Sequence, residues 1–154
     1  MRYKAVLAKK WLFLFLVLGI ASGFGFQKAV DPKTIDVEHY NGPKIILGTE
    51  GGIIAMRNET VILRSGEVYY HNNVVKNDYR YLKTLNRKDV KRVFHLARNP
   101  GLPMGKYNHP GNMSTFLQLY RRQKLIKNFV WGEPGLEIPA SLDKSYSGII
   151  NIIK

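Results

Sequence analysis

Between Leu85 and Gly101 the chain carries a self-contained helix signal that splits everything after residue 43 into two strand-rich halves. The Asn86 side chain suits the capping of free backbone amides, Asp89 follows three residues later, and Leu85 and Val90 occupy the two positions of a hydrophobic staple. Val90, Val93, Phe94 and Ala97 fall at i, i+3, i+4 and i+7, which predicts one apolar face, until Asn99-Pro100-Gly101 stops the run. Arg87, Lys88, Lys91 and Arg92 then point away from that face. They read first as a solvated helix surface and second as a basic binding patch.

Ahead of this helix, Ile45-Ile46-Leu47 suits a buried strand closed by Gly48, and Gly51-Gly52 marks a turn. Ile53 to Arg64 reads as a second strand, from which Ser65-Gly66 turns the chain into Glu67-Val68-Tyr69-Tyr70. Behind the helix, Phe116, Gln118 and Tyr120 alternate with Leu117 and Leu119, Arg121-Arg122-Gln123 makes a connection, and Leu125 to Trp131 returns. Leu142, Tyr146, Ile149, Ile150 and Ile153 follow with helical spacing from a start near Pro139. The order βββ-α-ββ-α predicts an α+β fold: an antiparallel sheet of about five strands with both helices on one face.

The 154 residues suffice for one modest domain. At 45% apolar and 23% charged residues the composition is that of a folding chain. Four of its 24 basic residues, and none of its 11 acids, lie in the first 23 positions, so the remainder keeps a strong positive excess. In those 23 residues Arg2, Lys4, Lys9 and Lys10 precede the apolar run Trp11 to Ile20, and Ala21-Ser22-Gly23 ends it with small residues. That is the order of a secretory signal peptide over residues 1–23, cleaved after Gly23. The alternative is a retained anchor, since the uncharged stretch from Trp11 to Gln27 approaches the length of a bilayer span. Residues 24–43 read as a spacer, and 44–154 as a single domain. Either version of the leader places that domain outside the cytoplasm, periplasmic or extracellular.

The absence of cysteine excludes a disulfide framework, a thiolate zinc site, a cysteine nucleophile and a lipid-modified lipoprotein N-terminus. His39, His71, His95 and His109 are scattered, with no pair spaced for one helical face. Neither a serine-nucleophile elbow nor a nucleotide-binding loop is present. Gly48-Thr-Glu-Gly51-Gly52 matches neither phosphate-loop spacing, and Glu133 and Glu137 form only a loop pair of acids. The chain is therefore read as non-catalytic, with no cofactor and no metal.

Two segments are chemically specific without being catalytic. Asn108-His109-Pro110-Gly111-Asn112-Met113 precedes the first strand of the second hairpin, and Trp131-Gly132-Glu133-Pro134 follows its partner strand. Hairpin geometry with the turn at 121–123 carries position 113 towards position 131, so the two segments are expected to meet at one end of the sheet. In the structural reading Trp131 packs on the Pro-Gly turn and His109 bonds a carbonyl. In the other reading they form a recognition surface.

At these segments, and more loosely over 44–154, the sequence resembles a group of small exported bacterial proteins of unknown function that pair an Asn-His-Pro-Gly-Asn-Met turn with Trp-Gly-Asp/Glu-Pro. Members often carry Gly-Gly-Phe-Thr-Gly in the first loop, where this chain has Gly51-Gly52-Ile53-Ile54-Ala55. A fainter similarity runs to emfourin-type inhibitors of thermolysin-like metalloproteases. The resemblance implies a binding protein whose partner is another protein outside the cytoplasm. The competing expectation is a cell-envelope module for a polyanion, an acidic glycan or nucleic acid. It would use residues 76–106, where basic residues interleave with Tyr79 and Tyr81. Membrane contact is expected only through a retained leader.

Overall fold

The computed structural model describes residues 35–74, 76–103 and 106–154. The signal-peptide reading and most of the spacer lie outside them. The fold is α+β. Its strands are β1 (Lys44–Gly51), β2 (Met56–Leu63), β3 (Glu67–Asn72), β4 (Lys76–Thr84), β5 (Lys106–His109), β6 (Met113–Arg121) and β7 (Lys124–Trp131). Its helices are α1 (Arg87–Arg98), between β4 and β5, and α2 (Ala140–Ile153), after β7. All seven strands join one sheet in the order β4-β3-β2-β1-β6-β7-β5.

Four of the expectations change. The sheet has seven strands and is mixed, because β5 pairs parallel to β7 while every other neighbour is antiparallel. The first meander has four strands: Lys76 to Thr84 forms an edge strand whose charged residues hide its two-residue period, as edge strands often do to resist further pairing. The second strand begins at Met56, because Gly52 to Ala55 make the hairpin loop, closed by the Ala55 amide on the Gly52 carbonyl at 3.0 Å. Finally, Trp131 faces Thr115 and not residue 113. The β6–β7 turn uses only Arg122 and Gln123, both left-handed at φ 48° and 61°, and a register shift follows at Leu119/Tyr120. Two consecutive left-handed residues are the geometry of a tight two-residue hairpin turn.

Alternation along the strands divides the core in two. Ile45, Leu47, Ile62, Val68, Leu117, Leu119 and Phe129 face the helices and meet Val90, Val93, Phe94 and Ala97 of α1 and Leu142 and Ile149 of α2. The helix face read from the sequence is thus the buried one. Asn86 caps α1, its side-chain oxygen accepting the Asp89 amide at 2.9 Å, and the staple residues Leu85 and Val90 are both buried. Ile46, Val61, Leu63, Tyr69, Phe116 and Val130 point the other way. The helices leave that face open, and Val37, in a lead-in segment without helix or strand, is buried against it with Ile35 and Tyr40 beside it. Lys44 fastens the segment by donating to the Val37 and Glu38 carbonyls at 3.0 and 3.1 Å. Burial lowers the pKa of that ammonium, and Glu59 and Glu38 oppose the shift.

Candidate functional site

The strand register brings three of the segments singled out in the sequence to one end of the sheet. Gly51, at the end of β1, pairs with Met56 on one side and Met113, the first residue of β6, on the other. The Gly52 amide donates to the Asn112 carbonyl at 2.8 Å. A side chain on Gly51 would overlap that same carbonyl, and one on Gly111 would overlap the carbonyl of Gly132. These contacts are backbone against backbone, so the three segments lock together only because glycine occupies the close approaches.

His109 and Trp131 lie directly opposite each other in the parallel β5–β7 pair. The His109 ring meets a carboxylate where the sequence reading expected a carbonyl. Trp131 is buried and meets the Tyr146 ring of α2 edge-on at 5.2 Å between centroids. It therefore belongs to the main core. The His109 imidazole stands 4.7 Å from the Tyr107 ring and 3.3 Å from a Glu133 carboxylate oxygen, while its own carbonyl accepts the Glu133 amide at 3.1 Å. Ser114 was not singled out in the sequence. Its hydroxyl accepts the Gly111 amide at 3.0 Å and lies 3.2 Å from the Gly111 carbonyl, closing the Pro-Gly turn. A serine three residues after a Pro-Gly turn was the signal available for it.

Above this joint the β1–β2 loop projects outward. Ile53 is fully exposed at 104% and Ile54 at 66%, with Met113 at 48% beside them and Val74 at 50% on the neighbouring β3–β4 turn. The loop is braced, not free-standing: Asn73 donates to the Ala55 carbonyl at 3.2 Å and accepts the Arg57 amide at 2.6 Å. Ala55 itself is held at φ 48°, in the left-handed region that favours glycine.

A second brace escaped sequence reasoning, because its members are far apart in the chain. On the open face below the loop, Arg57 donates to Glu59 at 2.8 Å, to Glu50 and to Gln118 at 3.2 Å. Its guanidinium lies 4.0 Å from the centre of the Phe116 ring. Glu59 also accepts from the Tyr79 hydroxyl at 3.3 Å, and its carboxylate lies 3.3 Å from His71. Burial, reinforced by Glu59, pushes the Tyr79 hydroxyl up to about 12. The network ties β1, β2, β4 and β6 together just beneath the loop joint.

In comparisons with known proteins the chain matches no family model and no curated protein. Among the described residues, no group of three or more histidine or acidic side chains is placed to hold a metal ion. The basic residues Arg87, Lys88, Lys91 and Arg92 are exposed, and α1 begins beside the β2–β3 turn, where the Leu85 amide donates to the Gly66 carbonyl at 2.9 Å. That turn lies at the end of the sheet away from the glycine joint. There, a hollow of about 400 Å³ is lined by Arg64, Ser65, Arg87 and Lys91. On the β5–β7 side, Pro100, Leu102, Leu125 and Ile126 line an open groove of about 500 Å³ with Lys106 and Lys127.

Proposed function

We propose that this chain is an exported, non-catalytic binding protein that recognises another protein with the loop end of its sheet. The observation that carries this reading is the pair Ile53-Ile54, fully and two-thirds exposed respectively, at the tip of a hairpin whose stem is braced by Arg57, Asn73 and the Asn112 carbonyl. Exposed apolar side chains on a rigid support lose little conformational freedom on binding, so more of the burial free energy goes into affinity. Flanking Met113 and Val74 widen the surface to the kind of apolar patch that anchors a protein contact. Export is supported by the leader pattern in the sequence, and inhibition of a thermolysin-like metalloprotease is the specific version suggested by the resemblance.

The test compares the wild-type protein with Ile53→Ser/Ile54→Ser. Both should melt at the same temperature, because the replaced side chains are in solvent. Capture of a partner from the native extracellular milieu at low and at high salt, together with titration against a thermolysin-like protease, should then show binding or inhibition only by the wild type, persisting at high salt. Binding that survives the double substitution refutes the assignment to the loop.

A further inference from the structure

The end of the sheet opposite the isoleucine tip is built from positively charged turns. Lys44 opens β1 and pairs with Leu63 and with Tyr120, so Arg64 and Arg121 leave the sheet at the same level, about two strand spacings or roughly 10 Å apart. Arg122 and Lys124 complete the second turn, and Arg87 and Lys91 approach the first from the start of α1. All six are exposed. Arg64 is fixed in place with its guanidinium 5.0 Å from the centre of the Phe94 ring.

The nearby acids include Glu67, Asp89, Asp36 and Glu38, and three of these have partners of their own. Glu67 accepts from the Ser65 hydroxyl, Asp89 from the Asn86 amide group at 2.7 Å, and Asp36 lies 2.8 Å from the His39 ring. These bonds leave the carboxylates charged, but the six basic residues outnumber the four acids, so this end keeps a net positive charge for an external partner. Two turns and a helix present it over a broad end, which suits a plane of anions better than a single one.

The path of the chain says which plane. The lead-in segment reaches β1 across this same end: the Gln123 side chain donates to the Glu38 and Tyr40 carbonyls, each at 3.2 Å, and the Tyr40 hydroxyl lies 3.4 Å from that of Ser65. Ile35 follows the apolar run Trp11–Ile20 by only fifteen residues, a span of at most about 50 Å when fully extended. We propose that, in the form of the protein that keeps this run, the basic end docks on the anionic phospholipid headgroups of the bilayer holding it. The isoleucine tip is then presented away from the membrane. This inference does not depend on what the tip binds.

The cysteine-free full chain permits single labels at Thr84→Cys, near the basic end, and at Ile53→Cys, at the tip, roughly 25 Å away by strand length. Each labelled protein is reconstituted into vesicles carrying a headgroup-labelled acceptor lipid. One set is phosphatidylcholine with about one third phosphatidylglycerol, the other phosphatidylcholine alone, with mole fractions chosen on the basis that a basic residue near an anionic surface favours binding about fivefold. Energy transfer should be clearly stronger from Thr84 than from Ile53 on the anionic vesicles. The difference should vanish on phosphatidylcholine, in 0.5 M salt, and in the variant R87Q/K91Q/R121Q/R122Q. If that variant fails to melt like the wild type, the salt and lipid arms decide alone. Equal transfer from both labels on anionic vesicles overturns the proposal. Heparin binding by the protein on phosphatidylcholine vesicles, together with equal transfer from both labels on the anionic ones, would assign the surface to a soluble polyanion instead.

Discussion

The carbonyl of Asn112 accepts the backbone amide of Gly52 at 2.8 Å and leaves no room for a side chain on the preceding Gly51. At Gly51 the obstacle is backbone and φ is 126°, whereas Gly52, at φ 77°, faces only the Met113 sulfur at 3.4 Å. Gly51→Ala should therefore cost about 3 kcal/mol or more, and Gly52→Ala about 1–2 kcal/mol, the usual penalty of left-handed backbone for an L-residue. Denaturant unfolding of the two variants checks the order. Equal losses would mean that the loops are not locked at this joint.

Ala55 bears the opposite strain, since it is held at φ 48° without glycine's freedom. Ala55→Gly should raise stability by about 0.5 kcal/mol, the left-handed penalty removed less the greater entropy of the unfolded glycine. A lower melting temperature would contradict this.

Phe94 is buried between the helices and the sheet, and Lys91 lies on the solvent side of the same helix. Phe94→Ala should cost about 3–5 kcal/mol and Lys91→Ala less than about 0.5 kcal/mol. Comparable losses would show that α1 packs by another face.

Trp131 and His109 should separate in the same kind of experiment despite being register partners. Trp131→Ala removes a core side chain and should cost about 3–5 kcal/mol. His109→Ala loses a partly exposed hydrogen-bond contact with Glu133 and should cost about 0.5–1.5 kcal/mol. A larger loss at His109 than at Trp131 would reverse their assigned roles.

Tyr79 makes the network beneath the loop sensitive to alkali. Its folded pKa, near 12, exceeds the ordinary 10.0, so the neutral phenol is favoured in the fold and the unfolded chain gives up its proton first. The resulting stabilisation is complete below pH 10 and disappears as the pH rises towards 12. The stability difference between the wild type and Tyr79→Phe, measured by urea unfolding from pH 9 to 12, should shift against the wild type across that window. A difference that stays constant with pH would show that the hydroxyl is not held in this way.

Local information was enough for α1, α2 and the central strands. The cap at Asn86, the apolar spacing from Val90 to Ala97 and the alternation from Phe116 to Tyr120 each act within a few residues, and the fold keeps them. The edges were less legible. Lys76 to Thr84 alternates charged residues with tyrosines whose burial depends on a second face, and Lys106–His109 is too short to show a period at all. Arg57 gave no signal either, because the residues it holds, Glu50, Glu59 and Gln118, come together only across three strands.

By itself the sequence determined the α+β class, the positions of the helices and which helical faces turn inward, because short-range periodicity and capping chemistry settle these before any long-range contact forms. Only the tertiary structure decided the seven-strand order, the parallel β5 and the meeting of Gly51-Gly52 with Asn112 and Gly132. Those depend on strand register and on a two-residue turn that, together with the register shift at Leu119/Tyr120, sets Trp131 opposite Thr115. Register is a property of paired strands, so it became visible only when both partners were in place.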